Sequence, residues 1–259
     1  MAEFQHMNGT KVESSIVAVV GNSIHLKVVP GHKESLPTIS ASPQTVAKVD
    51  HVDERKKANF TTFQLNAIAV GNATLVGADS TGASIAGPIT VVVQDKVVLP
   101  LASTKEGLFV RLFLAEVPSP GEGDHKLEDV TTAMIWMRVV VENRLATPSP
   151  EWSSAGATTL TDVIKAYNQF DGFSHYPTIV HKVQKVIDQA ISIANNGDDS
   201  RRAKYKEFVD AALSVASLQA VTDPSPKGIY WWRTKGAHPP SKKVEVYMTK
   251  LGNTFYTLK

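Results

Sequence analysis

The chain changes character near residue 100, and that break constrains its architecture more than any other feature. Before it, residues 12–98 are rich in Val, Ala, Thr and Ile, in short runs interrupted by Gly, Pro, Asn and Asp. Beyond it, apolar residues recur at helical spacing over longer stretches. A strand turns alternate side chains to opposite faces, whereas a helix gathers residues three and four apart on one face. The two halves therefore predict different secondary structure, and 259 residues suffice for two ordinary domains.

In the first half, the runs at 15–20, 23–29, 46–52, 60–70, 73–79 and 89–94 read as strands. Phe63 and Leu65 point one way, Gln64 and Asn66 the other. Gly71-Asn72 suits a hairpin turn between the runs at 60–70 and 73–79. About seven short strands in this stretch predict a β-sandwich. The segment FQLNAIAVGNATLVGA, residues 63–78, resembles the closing strands of bacterial immunoglobulin-like domains. That resemblance covers most of residues 12–98 and implies a module that spaces, presents or binds.

In the second half, helices are expected at 105–116, 128–145, 159–169, 176–195 and 201–218. Val130, Met134, Met137 and Val141 recur at helical spacing, and Ile179, Val183, Val186, Ile187, Ala190 and Ile193 share a broad face. Asn196-Gly197 ends that helix well. The runs at 229–233 and 244–256 are strand-like. Residues 105–259 thus predict a mainly α domain with a small β element, joined to the first by a short linker at 98–104.

Composition narrows the function. With 27 basic against 25 acidic residues, there is no electrostatic case for nucleic acid or an anionic membrane. The absence of cysteine excludes disulfides, thiolate metal sites and a cysteine nucleophile. No apolar stretch reaches the length of a membrane span. Residues 1–7, MAEFQHM, have neither a basic region nor an apolar core; they read as an expression-vector scar with Met7 as the natural start. No secretory signal follows Met7, so a chain made in the cytoplasm would need other machinery to reach the periplasm or cell wall.

The residue that points to chemistry is Glu116. It closes the apolar run Leu112-Phe113-Leu114-Ala115, and Pro118 and Pro120 stop the helix just beyond it. A carboxylate emerging at the edge of a core loses water, and its pKa rises. That is what a general acid requires near neutrality. Glu122, Asp124, Glu128 and Asp129 are further acids nearby, and glycoside cleavage often uses a second carboxylate. The alternatives are a surface glutamate at a helix end for Glu116 and a solvated loop acid for Glu122. His125, His175, His181 and His238 share no metal-ligand spacing, so no metal and no cofactor is assigned. No nucleophile elbow or phosphate-cradling glycine loop is present. Aromatic residues gather late, at Tyr230, Trp231, Trp232, Phe255 and Tyr256, where they suit either sugar rings or the two faces of a strand.

In order along the chain come Ala115-Glu116 with Gly121-Glu122, Asn143-Arg144, Gln169-Phe170, Asp223-Pro224 before Gly228-Ile229-Tyr230-Trp231, and Gly252-Asn253-Thr254-Phe255-Tyr256. This series resembles the cell-wall hydrolase family that includes the spore-cortex-lytic enzymes. The resemblance covers residues 106–176 and 221–257; the gap between the glutamates is two residues longer than the family pattern, and 177–220 resembles an inserted helical pair. It implies a lysozyme-like domain acting on peptidoglycan glycan strands, with lytic transglycosylases as its best-known members. By that resemblance Glu116 is acid and then base, Glu122 assists, and Arg144, Gln169, Phe170, Tyr230 and Trp231 line or support the substrate site. The structural alternatives for Arg144 and Gln169 are a helix-end salt bridge and a buried amide.

The expected fold class is therefore an all-β immunoglobulin-like sandwich at 12–98 followed by a mainly α lysozyme-like domain at 105–259. Three functional readings remain open: a peptidoglycan-cleaving enzyme, transglycosylase or hydrolytic muramidase; a non-catalytic binding protein of a phage or cell surface; and an antibacterial effector with a cognate immunity protein and a secretion or phage carrier.

Overall fold

The computed structural model describes residues 2–32, 35–121, 125–166, 169–250 and 252–259. It divides into two units, the first of Met1–Val97 with Asn195–Arg202, the second of Val98–Ala194 with Ala203–Lys259.

The first unit contains strands β1 (Glu3–His6), β2 (Ser15–Val19), β3 (Ser23–Val29), β4 (Thr38–Ser42), β5 (Ala47–Arg55), β6 (Phe60–Ala67), β7 (Gly71–Ala78) and β8 (Ser84–Gln94). They pair as two four-stranded sheets, in the orders β1-β3-β6-β5 and β2-β8-β7-β4, with β2 parallel to β8. Alternation explains the core: Ile24, Leu26 and Val28 of β3, Phe63 and Leu65 of β6, Leu75 of β7 and Val91 of β8 turn into one shared apolar cluster.

Two local expectations change. Glu3–His6, inside the stretch expected to be a vector scar, form β1, and Phe4 packs edge-to-face on Phe63 with ring centroids 5.8 Å apart. Gly71 does not turn a hairpin, because β6 and β7 lie in different sheets. Instead the amides of Ile68 and Ala69 both donate to the Val46 carbonyl, at 2.8 and 3.3 Å, as the chain leaves one sheet for the other. Asn195–Arg202 joins this unit because the Asn195 side chain bonds the Val97 amide and carbonyl at 2.8 and 2.9 Å.

The second unit contains helices α1 (Lys105–Glu116), α2 (Leu127–Ala146), α3 (Leu160–Lys165), α4 (His181–Ala194) and most of α5 (Arg202–Ser217). Strands β9 (Ile229–Thr234), β10 (Val244–Lys250) and β11 (Asn253–Leu258) follow, an antiparallel sheet in the order β10-β11-β9. Thr104 caps α1 by accepting from the Gly107 amide at 3.0 Å. Leu108, Phe109, Val110, Leu112, Phe113 and Leu114 of α1 are all buried, as expected of a central helix with apolar residues around its circumference. Arg138 of α2 is fully buried; its Nη1 donates to the Val215 carbonyl at 2.8 Å near the end of α5, and its Nε to Glu142 at 2.9 Å. The stretch expected as a linker is held by this unit: Arg111 Nη1 donates to the Pro100 carbonyl at 2.8 Å, and the Tyr176 hydroxyl donates to the Ala102 carbonyl.

The expected fold class does not hold. Instead of an all-β immunoglobulin-like sandwich and a mainly α lysozyme-like domain, the chain has about 30% helix and 31% strand, with five helices and three sheets among the described residues, an early β region followed by a helical one. The physical reason lies in the tail. Its aromatic and β-branched residues do not add a small accessory but pair into a complete sheet, burying Trp231, Phe255 and Tyr256. Among the described residues, no helix is long and apolar enough to cross a membrane.

Candidate active site

A cleft of about 570 Å³ opens in the second unit, and segments far apart in the sequence line it. Glu116 comes from the end of α1, Arg144 from the last turn of α2, Gln169 and Asp171 from the loop after α3, and Trp231 and Trp232 from β9. Local rules place the first of these. Val117 is extended, its amide donates to the Phe113 carbonyl at 3.0 Å, and Pro118 follows, so the helix stops with Glu116 on its final turn. The placement of β9 depends on a longer tie. Asn143 of α2 donates to Asp223 Oδ2 at 2.5 Å and to the Ile229 carbonyl at 3.0 Å, while the Ile229 amide donates to the same Asp223 oxygen at 3.1 Å.

Burial pushes the Glu116 carboxyl from 4.5 up to about 7; the negative charge of Asp171 acts in the same direction. The Trp232 indole opposes them by donating Nε1–H to Glu116 Oε2, a long contact at 3.4 Å. The negative end of α1 also disfavours a carboxylate on its last turn. Behind the acid, Trp232 meets Phe170 at 5.3 Å and Phe255 at 6.5 Å between ring centroids, which fixes the indole.

Arg144 is 3% exposed. Its Nε donates to the Tyr230 carbonyl at 2.6 Å, its Nη1 to Gln169 Oε1 at 2.9 Å, and its guanidinium carbon lies 5.5 Å from the Phe170 ring centroid. Burial lowers its pKa to about 9, which leaves it charged near neutrality. The helix-end salt bridge expected as its structural alternative does not form: among the described residues, no carboxylate pairs with Arg144.

The sequence-selected residues therefore fall into distinct places. Glu116, Arg144, Gln169 and Trp231 line one cleft. Phe170 is buried against Trp232 and beneath Arg144. Tyr230 offers its carbonyl to Arg144 and stacks its ring on Trp152 at 4.6 Å. Glu122 and Asp124 lie outside the described residues. His125 is held by the Pro118 carbonyl and the Phe208 ring, away from any metal-like cluster. Among the described residues, no group of His, Cys, Asp or Glu is arranged to hold a metal ion.

Sequence reasoning missed Asp171, Glu151, Arg233 and Asn253 as cleft residues and did not assign Trp232 to the site. Asp171 follows the Gln169-Phe170 pair directly, but Asp171-Gly172 reads as an ordinary turn, and Gly172 has a positive φ of 78°. Glu151 sits in the short 3-10 turn Pro150–Trp152, where its carboxylate pairs with Lys243. Nothing local marks either residue as part of a site.

No protein-family model matches the chain, and no curated protein matches it. Among solved structures, it overlaps parts of the S-layer protein SbsC. Domains 4 and 5 match at 18% identity with a TM-score of 0.25, over 31% of this chain and 47% of that one. Domains 5-6 match at 14% with a TM-score of 0.27, over 34% and 43%. Domains 1-6 match at 17% with a TM-score of 0.27, over 34% and 12%. The chain thus spans less than half of each, and likenesses at this level carry no argument about the site.

Proposed function

We propose that the chain cleaves the β-1,4 glycosidic bond between N-acetylmuramic acid and N-acetylglucosamine in peptidoglycan. The observation that carries the reading is Glu116: a carboxyl held near pKa 7 in a cleft beside the partly buried Trp232 indole. A group poised there is substantially protonated near neutral pH yet releases its proton readily. In a transglycosylase cycle, Glu116 gives its proton to the bridging oxygen as the C1–O bond breaks. The resulting carboxylate takes the proton of the muramic C6 hydroxyl as O6 bonds C1. The product carries a 1,6-anhydro ring, no water is consumed, and Glu116 ends protonated. In this reading the chain acts at the cell wall and needs no metal.

Asp171 favours a second version of the same chemistry. A second carboxylate in the cleft is suited to orient a water or to stabilise positive charge at C1, as in hydrolytic glycosidases. Incubation with purified sacculi followed by mass spectrometry separates the outcomes. The anhydro product is lighter than the hydrolytic one by one water. Full release of soluble glycan by Glu116→Gln would sink both versions, and binding without release would favour a non-catalytic glycan-binding protein.

A further inference from the structure

Arg144 is a buried cation in the cleft wall whose contacts are all neutral: a carbonyl, an amide oxygen and an aromatic face. Removing a charge from water is costly unless something opposite in sign compensates. Here nothing in the described chain does so. Glu151, the acid that also lines the cleft, is paired with Lys243, and Asp171 exerts its charge on Glu116. The Arg144 fork is also only partly used. Nε and Nη1 hold the Tyr230 carbonyl and Gln169, which fixes the plane of the guanidinium, while Nη2 donates to no partner among the described residues. A fixed, partly open fork beside a cleft is the geometry that recognises a carboxylate.

We propose that the Arg144 end of the cleft binds a carboxylate of the substrate, so that the chain selects glycan bearing an acidic group over neutral glycan. The inference rests on the glycan-cleaving reading for its choice of substrate. In peptidoglycan that group has two sources: the lactyl carboxylate of a muramic residue without its stem peptide, or the carboxylates of the stem peptide itself. Both present the same chemistry to a guanidinium. The neutral contacts of Arg144 serve the selection, since an internal acid would occupy the fork and repel the ligand.

The test is a calorimetric titration of full-length Glu116→Gln, which binds without turnover. The probes are a tetrasaccharide of alternating N-acetylglucosamine and N-acetylmuramic acid as the free acid, as the lactyl methyl ester, and with stem peptides attached. The free acid is expected to bind at least about tenfold tighter than the ester, the scale of one charge-assisted hydrogen bond. Tighter binding of the peptide-bearing form instead assigns the carboxylate to the stem peptide. Equal affinity for all three overturns the inference and leaves the glycan reading standing. If no saccharide binds, the glycan reading falls, and sodium acetate then decides the carboxylate site through the arginine Nε–H resonances. A saturable shift that is absent in Arg144→Lys keeps the site; no shift removes it. Arg144→Lys keeps the charge and loses the fork, so the preference of acid over ester should collapse in a chain whose tryptophan fluorescence remains folded.

Discussion

Replacing Glu116 by Gln tests the desolvation argument apart from any substrate. In the folded chain the carboxyl holds its proton up to about pH 7, whereas the unfolded reference releases it near 4.5. Across that window the folded state binds the extra proton, so stability falls as pH rises through it. The span from 4.5 to about 7, at about 1.36 kcal/mol per pH unit, makes the full penalty about 3 kcal/mol. Glutamine has no titrating proton and keeps an oxygen able to accept from the Trp232 indole. Glu116→Gln should therefore match the parent at about pH 4 and exceed it by about 3 kcal/mol at about pH 8. Urea unfolding followed by tryptophan fluorescence is the suitable assay, because all four tryptophans lie in the second unit. A stability difference that stays flat between those pH values would refute the argument, since it would mean that Glu116 titrates as an ordinary surface acid. The activity should carry the same signature, with cleavage by the parent falling as pH rises past about 7.

Three further changes probe the rest of the site. Asp171→Asn removes a charge that helps to keep Glu116 protonated, so the alkaline limb of the cleavage profile should move to lower pH. If Asp171 also activates water, the hydrolytic product should vanish from the mass spectrum while any anhydro product persists. Asp223→Ala unties the Asn143 side chain and the Ile229 amide from their shared acceptor and should cost about 1–3 kcal/mol by urea unfolding, with weaker glycan binding as β9 loosens. Gln169→Glu places an acid on the Arg144 fork, and calorimetry should show the preference of acidic over esterified saccharide lost, with the neutral form still bound.

Where the sequence spoke clearly, it did so through local rules. Helix α1 is readable at both ends because Thr104 caps it and Pro118 stops it. Strands β3 and β6 are readable because branched and aromatic residues alternate with polar ones. Strand β4 is not, since Thr38–Ser42 carries only Ile39 and Ala41 between small polar residues. The passage from β6 to β7 is ambiguous in the sequence because Gly71-Asn72 fits a hairpin and a change of sheet equally well; partner choice depends on residues far away. The fold class failed for a related reason, as the tail runs were visible as strands but not as a full sheet. Glu116 was legible because its burial follows from its own helix. Asp171, Glu151 and Asn253 were not, because each reaches the cleft only through the packing of segments distant in sequence.

The two buried ionisable groups of the cleft make sense only together. Had Arg144 paired with Glu116, the guanidinium would have stabilised the carboxylate, lowered its pKa and removed the proton that general acid catalysis needs. Instead Arg144 is held in place by the Tyr230 carbonyl and the Gln169 side-chain oxygen, both neutral, and the polar contact to Glu116 comes from a neutral indole. The charge that does act on Glu116 is that of Asp171, and it strengthens the grip on the proton. The cleft thus disfavours the charged form of its acid while keeping its base charged, at a cost in folding stability on both counts. Such an arrangement lowers its free energy when a ligand brings a proton acceptor to Glu116 and an anion to Arg144, and an acidic polysaccharide offers both groups on one chain.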